Sequence, residues 1–500
     1  MSTSRMCGSL VVVAIQVLGC SGATPDDSDS PTGGTSPTNP PATPTPEPPT
    51  PDDRTAPPPP VESLAWFYTR SGDLGVGSSA AAGDFNGDGI TDFAIGAPYA
   101  NANADGVEAK GAIFFAYGPV TGGIEVTNLS DVRVGELEGQ KLGTTVYAAG
   151  DLNADGYQDL VTGNSGWGYV LFGPILGTSP VSLGAALFQS SAEAPDLRGE
   201  MSGTGDFNGD GYQDLVLTGP GSERLYVLYG PIEPGEYDPS LIADVTIKDL
   251  EDTSLFGIEV GVGDYNGDGL ADLAVGAPTH AEYDDGAVYV FYAPFPSYLD
   301  TDDADATIIG LPGSLNCDPG PLGECHIEGD YTGASVADGG DVNGDRINDI
   351  IFAAIPLYSQ SHIHIFLGPV YGEYSVREAD FSLTSASIFE PWNSVSLGGD
   401  ANRDGLEDVV FSIAITKDGI KEIGGAVCYD LGLAARGMYE VGCRIVMSDG
   451  DFSFGNIAPA GDVSGDLIDD LLFGDRTVQW AADSNGVVVL IAGDPKTGIH

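Results

Sequence analysis

Seven nonapeptides hold the residues best placed to do chemistry in this 500-residue chain. They read DFNGDGITD (84–92), DLNADGYQD (151–159), DFNGDGYQD (206–214), DYNGDGLAD (264–272), DVNGDRIND (341–349), DANRDGLED (400–408) and DVSGDLIDD (462–470). Successive copies start 67, 55, 58, 77, 59 and 62 residues apart. Every copy has Asp at positions 1, 5 and 9, and six of the seven have Asn at position 3. Coincidence does not produce seven such copies, so the repeat governs every local assignment.

Carboxylates at positions 1, 5 and 9, an amide at 3 and a backbone carbonyl at 7 converge on a hard cation when the loop curls around it. Gly at position 6 permits the sharp turn, as in an EF-hand loop. Oxygen-only ligands in a flexible loop suit Ca²⁺, whereas Mg²⁺ demands tighter octahedral geometry and keeps more water. The first two ligand sets are Asp84, Asn86, Asp88, Ile90 and Asp92, then Asp151, Asn153, Asp155, Tyr157 and Asp159. The next two are Asp206, Asn208, Asp210, Tyr212 and Asp214, then Asp264, Asn266, Asp268, Leu270 and Asp272. Asp341, Asn343, Asp345, Ile347 and Asp349 form the fifth, and Asp400, Asn402, Asp404, Leu406 and Asp408 the sixth. Asp462, Ser464, Asp466, Ile468 and Asp470 complete the series. The alternative is that these acids only cap turns, but three convergent carboxylates without a cation repel one another. Each loop supplies enough ligands to leave little room for substrate, so the ions read as structural.

The copies are unequal. The first four keep every expected feature, whereas the fifth has Arg346 at position 6 and the sixth has Arg403 at position 4. The seventh has Ser464 and Leu467 in place of the amide and the turn glycine, and is expected to bind weakest or not at all.

The elements that position these loops are strands. An EF-hand requires Glu at position 12 and flanking helices, but position 12 here is apolar (Ile95, Leu217, Val275), within short β-rich runs. Two strand-like runs follow each loop. A third lies about 19 residues before the next loop (from Val245 or Phe381, for example), and a fourth leads into it. Four strands per unit of roughly 60 residues is the repetition of a propeller blade. After the last loop only two strands remain, at 470–474 and 486–493. The missing strand is expected from 63–69, which precedes Asp84 at the offset Val245 has before Asp264. Pairing it with the last blade closes the ring and removes two open sheet edges.

Around each loop the wording recurs, as in LFGIEVGVGDYNGDGLADLAVGAP (255–278) followed by GAVYVFYAP (286–294). This resembles the FG-GAP repeat of the integrin α-subunit head and of many secreted bacterial proteins. Phe256-Gly257 and Gly276-Ala277-Pro278 match the name-giving residues, and Phe454-Gly455 and Gly96-Ala97-Pro98 match in part. Other copies are degenerate, such as 163–165 and 354–356. The resemblance covers about residues 61–495. It implies an all-β fold, a seven-bladed β-propeller of four-stranded antiparallel blades, with cations in the loops between first and second strands. Fold alone does not bring integrin function with it.

Composition bounds the function. Acids outnumber bases 74 to 18, for a formal charge of −56, which excludes the clustered Lys and Arg that nucleic acid or anionic lipid requires. The 42% hydrophobic content separates the chain from acidic disordered polymers. Its 72 glycines favour many turns between short strands.

Residues 1–20 pair one basic residue, Arg5, with an apolar run (10–15) and end in VLGC, which resembles a bacterial lipoprotein signal with Cys20 as the acylated anchor. Ordinary secretion with Cys20 unmodified is the alternative. Residues 21–60 contain 14 prolines and read as an extended linker, and the propeller occupies 61–500. These features imply export and membrane contact only through the lipid, with Ser21 favouring an outer membrane or the cell surface.

Four further cysteines suggest two disulfides in an exported chain. The expected pairs are Cys317 with Cys325, stapling the insertion behind the 77-residue step, and Cys428 with Cys443, bridging neighbouring strands. Free thiols are the alternative. His362 and His364 alternate on one strand face and read as a solvent-facing pair rather than a metal site. No nucleophile elbow, zinc motif or P-loop appears, so the chain is not read as an enzyme. The loops after the second strands, opposite the acidic loops, carry Tyr99, Trp167, Tyr283, Tyr358 and Trp480, which suit ligand contact or blade packing. The expected function is a calcium-stabilised binding or adhesion module for a protein or glycan. A polysaccharide-acting enzyme using the propeller mouth and a purely structural envelope protein are the alternatives.

Overall fold

The computed structural model describes residues 64–69, 72–100, 109–164, 166–189, 204–219, 223–251, 254–281, 283–317, 325–356, 361–384, 394–417, 420–429, 442–447, 456–479 and 484–492. The expected signal and linker, Cys20, Tyr358 and Trp480 lie outside them. Among the described residues helix is confined to single turns such as Pro239–Ile242, and no helix is long and apolar enough to cross a membrane.

The described strands form seven sheets of four or more strands and one two-stranded hairpin. The fourth sheet shows the plan. Val260–Gly263, Asp272–Ala277, Ala287–Phe291 and Ala306–Ile309 pair antiparallel in chain order, and the acidic loop 264–272 joins the first two. Asp272–Ala277 is buried along its whole length because both faces of the sheet are covered. The period of two divides its side chains between two cores. Leu273, Val275 and Ala277 pack with Val216, Leu225 and Val227 of the third sheet, whereas Ala274 packs with Ile350, Phe352 and Phe366 of the fifth.

Each apolar cluster is shared by two consecutive sheets in the same way, and the seventh sheet meets the first. Leu472, Val488 and Leu490 pack with Phe93, Ile95 and Phe114. Ala65–Tyr68 completes the last sheet as the offset before Asp84 predicts, with Ala65 opposite Leu490 and Tyr68 opposite Val487. The fold is a β-propeller closed by its N-terminal strand.

One feature goes beyond the four-strand expectation. Five sheets gain an outer strand, paired parallel, from the unit that follows. Gly122–Glu125 joins Ala65–Tyr68, Ser179–Pro180 joins Asp131–Val134, and Gly235–Tyr237 joins Ala186–Gln189. Tyr298–Asp300 joins Val245–Lys248, and Gly372–Ser375 joins Ala306–Ile309. These pieces cover edges that would otherwise stay open. The insertion between the fourth and fifth sheets is the hairpin of Ser314–Cys317 and Cys325–Glu328.

The Phe-Gly and Gly-Ala-Pro wording acquires a physical cause. Phe256 is fully buried, and its N–H donates to Glu223 Oε2 at 2.8 Å. Gly257 adopts φ +79° and donates to the Gly276 carbonyl at 2.9 Å. At Gly276 the fifth sheet comes so close that a Cβ would stand 2.1 Å from the Gly333 carbonyl oxygen; Gly96 stands to Gly143 in the same relation at 2.2 Å. Gly276→Ala is therefore expected to cost about 1–3 kcal/mol by forcing two sheets apart. Thermal melts of the variant check this, and an unchanged melting temperature contradicts it.

Candidate metal centres

The acidic loops share one hydrogen-bond plan, set by Asp at position 1. Asp84 Oδ1 accepts from the N–H groups of Gly87 and Asp88 at 2.8 and 3.0 Å, and Oδ2 from Gly89 at 2.8 Å. Asp264 does the same with Gly267, Asp268 and Gly269 at 2.7, 3.1 and 2.9 Å. Asp206 and Asp341 hold their loops likewise, with Arg346 donating its backbone N–H to Asp341 at 2.7 Å. Asp151, Asp400 and Asp462 follow the plan too. This curl requires left-handed backbone at two places. Position 6 is the glycine expected from sequence, occupied by Arg346 (φ 72°) in the fifth loop and Leu467 (φ 71°) in the seventh. Position 4 is equally left-handed, which the sequence reading missed, and there Ala154 (φ 62°) and Arg403 (φ 65°) stand in for glycine.

Positions 3 and 5 act as a pair. Asn86 Oδ1 accepts from the Asp88 N–H at 2.8 Å while its Nδ2 faces Asp88 Oδ2 at 3.1 Å. Asn153, Asn208 and Asn402 repeat this with Asp155, Asp210 and Asp404, and Asn266 Oδ1 takes the Asp268 N–H. In the fifth loop Asn343 turns inward instead, donating to both oxygens of Asp349 at 3.0 and 3.1 Å.

Position 9 carries a second duty that sequence did not reveal. Its carboxylate is buried and ties the loop to the turn after the third strand. Asp92, Asp159, Asp214, Asp272 and Asp349 accept from the N–H groups of Gly118, Gly173, Gly230, Ala293 and Gly368. Each of these donors precedes a cis-proline. The signal was present in the recurring Gly-Pro or Ala-Pro after the third strand. Burial pushes the carboxyls of Asp92, Asp159 and Asp214 up to about 6 and those of Asp272 and Asp349 to about 7; the acids at positions 5 and 1 push the first four the same way, and Asp345 does so for Asp349.

Each loop thus gathers at least three carboxyl groups, and only the fifth and sixth carry a basic residue, Arg346 and Arg403. At position 7 Ile90, Tyr157 and Tyr212 are exposed, whereas Ile468 is buried. Among the described residues no three His, Cys, Asp or Glu groups stand together closely enough to hold a metal ion as they are placed. The carboxylates at positions 1 and 5 are instead occupied by loop N–H groups. The donor chemistry is that of a hard-cation loop, because three carboxylates, a side-chain oxygen at position 3 and a carbonyl at position 7 lie on one nine-residue curl.

The other predicted residues are distributed as follows. Register places Cys317 opposite Cys325 and Cys428 opposite Cys443. Trp167 is half-buried against the cluster shared by the first two sheets, and Tyr99 lies against Gly75 with Lys141 Nζ 5.8 Å from its ring centre. Both serve packing, and Tyr283 is exposed. The histidines correct the expectation of a solvent-facing pair. Their rings stack with centres 5.8 Å apart, but His364 is only 6% exposed, because this face packs toward the fourth sheet. Its Nδ1 lies 2.8 Å from Ser382 Oγ, and burial holds its pKa down at about 3.

The FG-GAP repeat family matches residues 76–114, 143–181, 202–228 and 256–291, each stretch containing one of the first four acidic loops. The chain is 31% identical to Integrin alpha-PS5 of Drosophila melanogaster over 176 residues, 33% of this chain and 17% of that protein. It is 26% identical to Integrin alpha-5 of Xenopus laevis over 56% of this chain and 20% of that protein. A Phosphatidylinositol-glycan-specific phospholipase D of Rattus norvegicus is 34% identical over 19% of this chain and 13% of that protein. The chain therefore spans a fifth or less of each of these relatives. A solved structure of BBS1N in complex with ARL6DN, soaked with mercury, covers 86% of this chain and 94% of that chain at 10% identity and a TM-score of 0.39.

Proposed function

We propose that this integrin-α-like β-propeller, with its four FG-GAP repeats, is a calcium-braced module that holds a protein or glycan ligand at the cell surface. The observation that carries the proposal is the recurrence of one oxygen-rich loop at the same place on every sheet of a ring closed by its own N-terminal strand. The integrin alpha chains among its relatives support a binding role in general.

In each loop the carboxylates at positions 1, 5 and 9, the position 3 side chain and the position 7 carbonyl would hold the ion. When bound, the cation supplies the positive charge that the loop lacks. The chain's own residues do the rest. Asp272 joins the acidic hairpin to the turn at Ala293, and Asp264 curls the segment by accepting from the N–H groups of Gly267 and Gly269. The first four loops keep every feature, whereas Arg346, Arg403 and Leu467 weaken the last three. The same proposal takes Cys20 as a lipid anchor, residues 21–60 as a spacer, and the two opposed cysteine pairs as disulfides.

Protein and glycan arrays probed with the purified chain test the function. Retention of a ligand that is lost on chelation and regained with added Ca²⁺ is the expected result. Turnover of a polysaccharide or a phosphatidylinositol-glycan without stable capture would replace the binding module with an enzyme.

A further inference from the structure

Neighbouring acidic loops are hydrogen-bonded to one another through a residue outside the expected ligand sets, at position 8. In the fifth loop Asn348 donates its N–H to the Asp264 carbonyl at 2.9 Å, and its Oδ1 accepts from the Asp264 N–H at 2.7 Å. Asp469 of the seventh loop grips Asp400 of the sixth in the same two ways, at 3.3 and 2.9 Å. Gln158 Oε1 accepts from the Asp84 N–H at 2.8 Å. Where the side chain is Ala271 the backbone bond alone survives, from its N–H to the Asp206 carbonyl at 3.0 Å.

Position 7 adds a packing contact in the same sense. A Cβ on Gly87 would meet the Tyr157 ring at 2.4 Å, and one on Gly267 would meet Ile347 at 3.0 Å. In every case the later loop grips position 1 or position 4 of the earlier loop. Position 1 is the residue whose carboxylate organises the whole curl, so its backbone is fixed from outside its own loop.

We infer that adjacent cation sites are energetically coupled, and that the position 8 residues Gln158, Asn348 and Asp469 are positioning residues for the site of the preceding loop, an inference that rests on the calcium reading of these loops. An ion in the fifth loop orders its last residues, including Asn348, and so lowers the ordering cost of Asp264 when the fourth loop binds. Coupling between two binding events is reciprocal, so the fourth ion assists the fifth equally. The asymmetry lies in the side chain: Asn348 belongs to one loop and serves the other.

Hydrogen–deuterium exchange of the full chain across a Ca²⁺ titration reads each loop separately. In Asn348→Leu the calcium midpoints for protection of residues 264–272 and, by reciprocity, of 341–349 are expected to rise about three- to tenfold, the worth of one hydrogen bond, and those of 84–92 and 206–214 by less than about twofold. Asn348→Asp keeps the acceptor and is expected to return 264–272 to within about twofold of the native chain. A shift shared by all of these loops, or an unshifted 264–272 in the variant when the native chain does show calcium protection, overturns the coupling alone. Absence of calcium protection in every loop of the native chain removes the calcium reading and the coupling together.

Discussion

On the proposed calcium reading, EGTA is expected to lower the melting temperature of the full chain by about 10 °C or more, and added Ca²⁺ to restore it. The size follows from linkage. A site saturated at a hundred times its Kd stabilises the folded chain by about 2.7 kcal/mol, and four loops keep the complete ligand pattern. Acting independently, four such sites would contribute on the order of 10 kcal/mol, which for a large domain corresponds to a shift of that order. The source of the effect is electrostatic. The chain has a formal charge of −56, and the acids at position 9 already resist ionisation, through burial first and then through neighbouring acids such as Asp268 and Asp345. Seven dications add fourteen positive charges, moving the total to about −42. Mg²⁺ is expected to restore less, because it keeps its water and demands octahedral geometry. Differential scanning calorimetry in EGTA, Ca²⁺ and Mg²⁺ decides the matter, and identical melts in all three would exclude a bracing cation.

Phe67→Ala is expected to destabilise the chain by about 3–5 kcal/mol, the usual cost of emptying a fully buried aromatic site. Phe67 is 0% exposed, and its ring centre lies 5.4 Å from that of Phe93 in the first sheet. The same strand is paired on both sides, to Ser484–Ile491 and to Gly122–Glu125. A chain starting at residue 72 loses this strand and leaves both partners with unpaired backbone, so it is expected to self-associate. Urea denaturation measures the first effect and light scattering after size exclusion the second. A monomeric truncated chain of native stability would show that the ring does not depend on its N-terminal strand.

Much of this was legible in the residues because it depended on spacing. The acids at 1, 5 and 9 keep one spacing in every copy, and the strand around Trp66 stands at the offset that the other units repeat, apart from the one enlarged by the hairpin before Asp341. What escaped sequence depended on partners far along the chain. Asp92 meets Gly118, and Asp264 meets Asn348, through contacts that no local period encodes. The parallel outer strands are short and partly exposed, such as Gly122–Glu125 and Gly372–Ser375, so they lack the alternation by which strands are recognised. His364 alternates with Ile363 and Ile365 as a surface residue would, yet both faces of its sheet are covered. A period of two identifies a face without saying whether water or another sheet lies beyond it.

The closing strand also settles how this molecule carries tension. Ala65–Tyr68 lies between two hydrogen-bonded neighbours, antiparallel to one and parallel to the other, and Leu64 extends both ladders by one bond each. A pull along that strand from its N-terminal end loads these bonds together in shear, rather than peeling them apart one at a time. The segment that seals the circle would thereby spread such a load over two ladders at once.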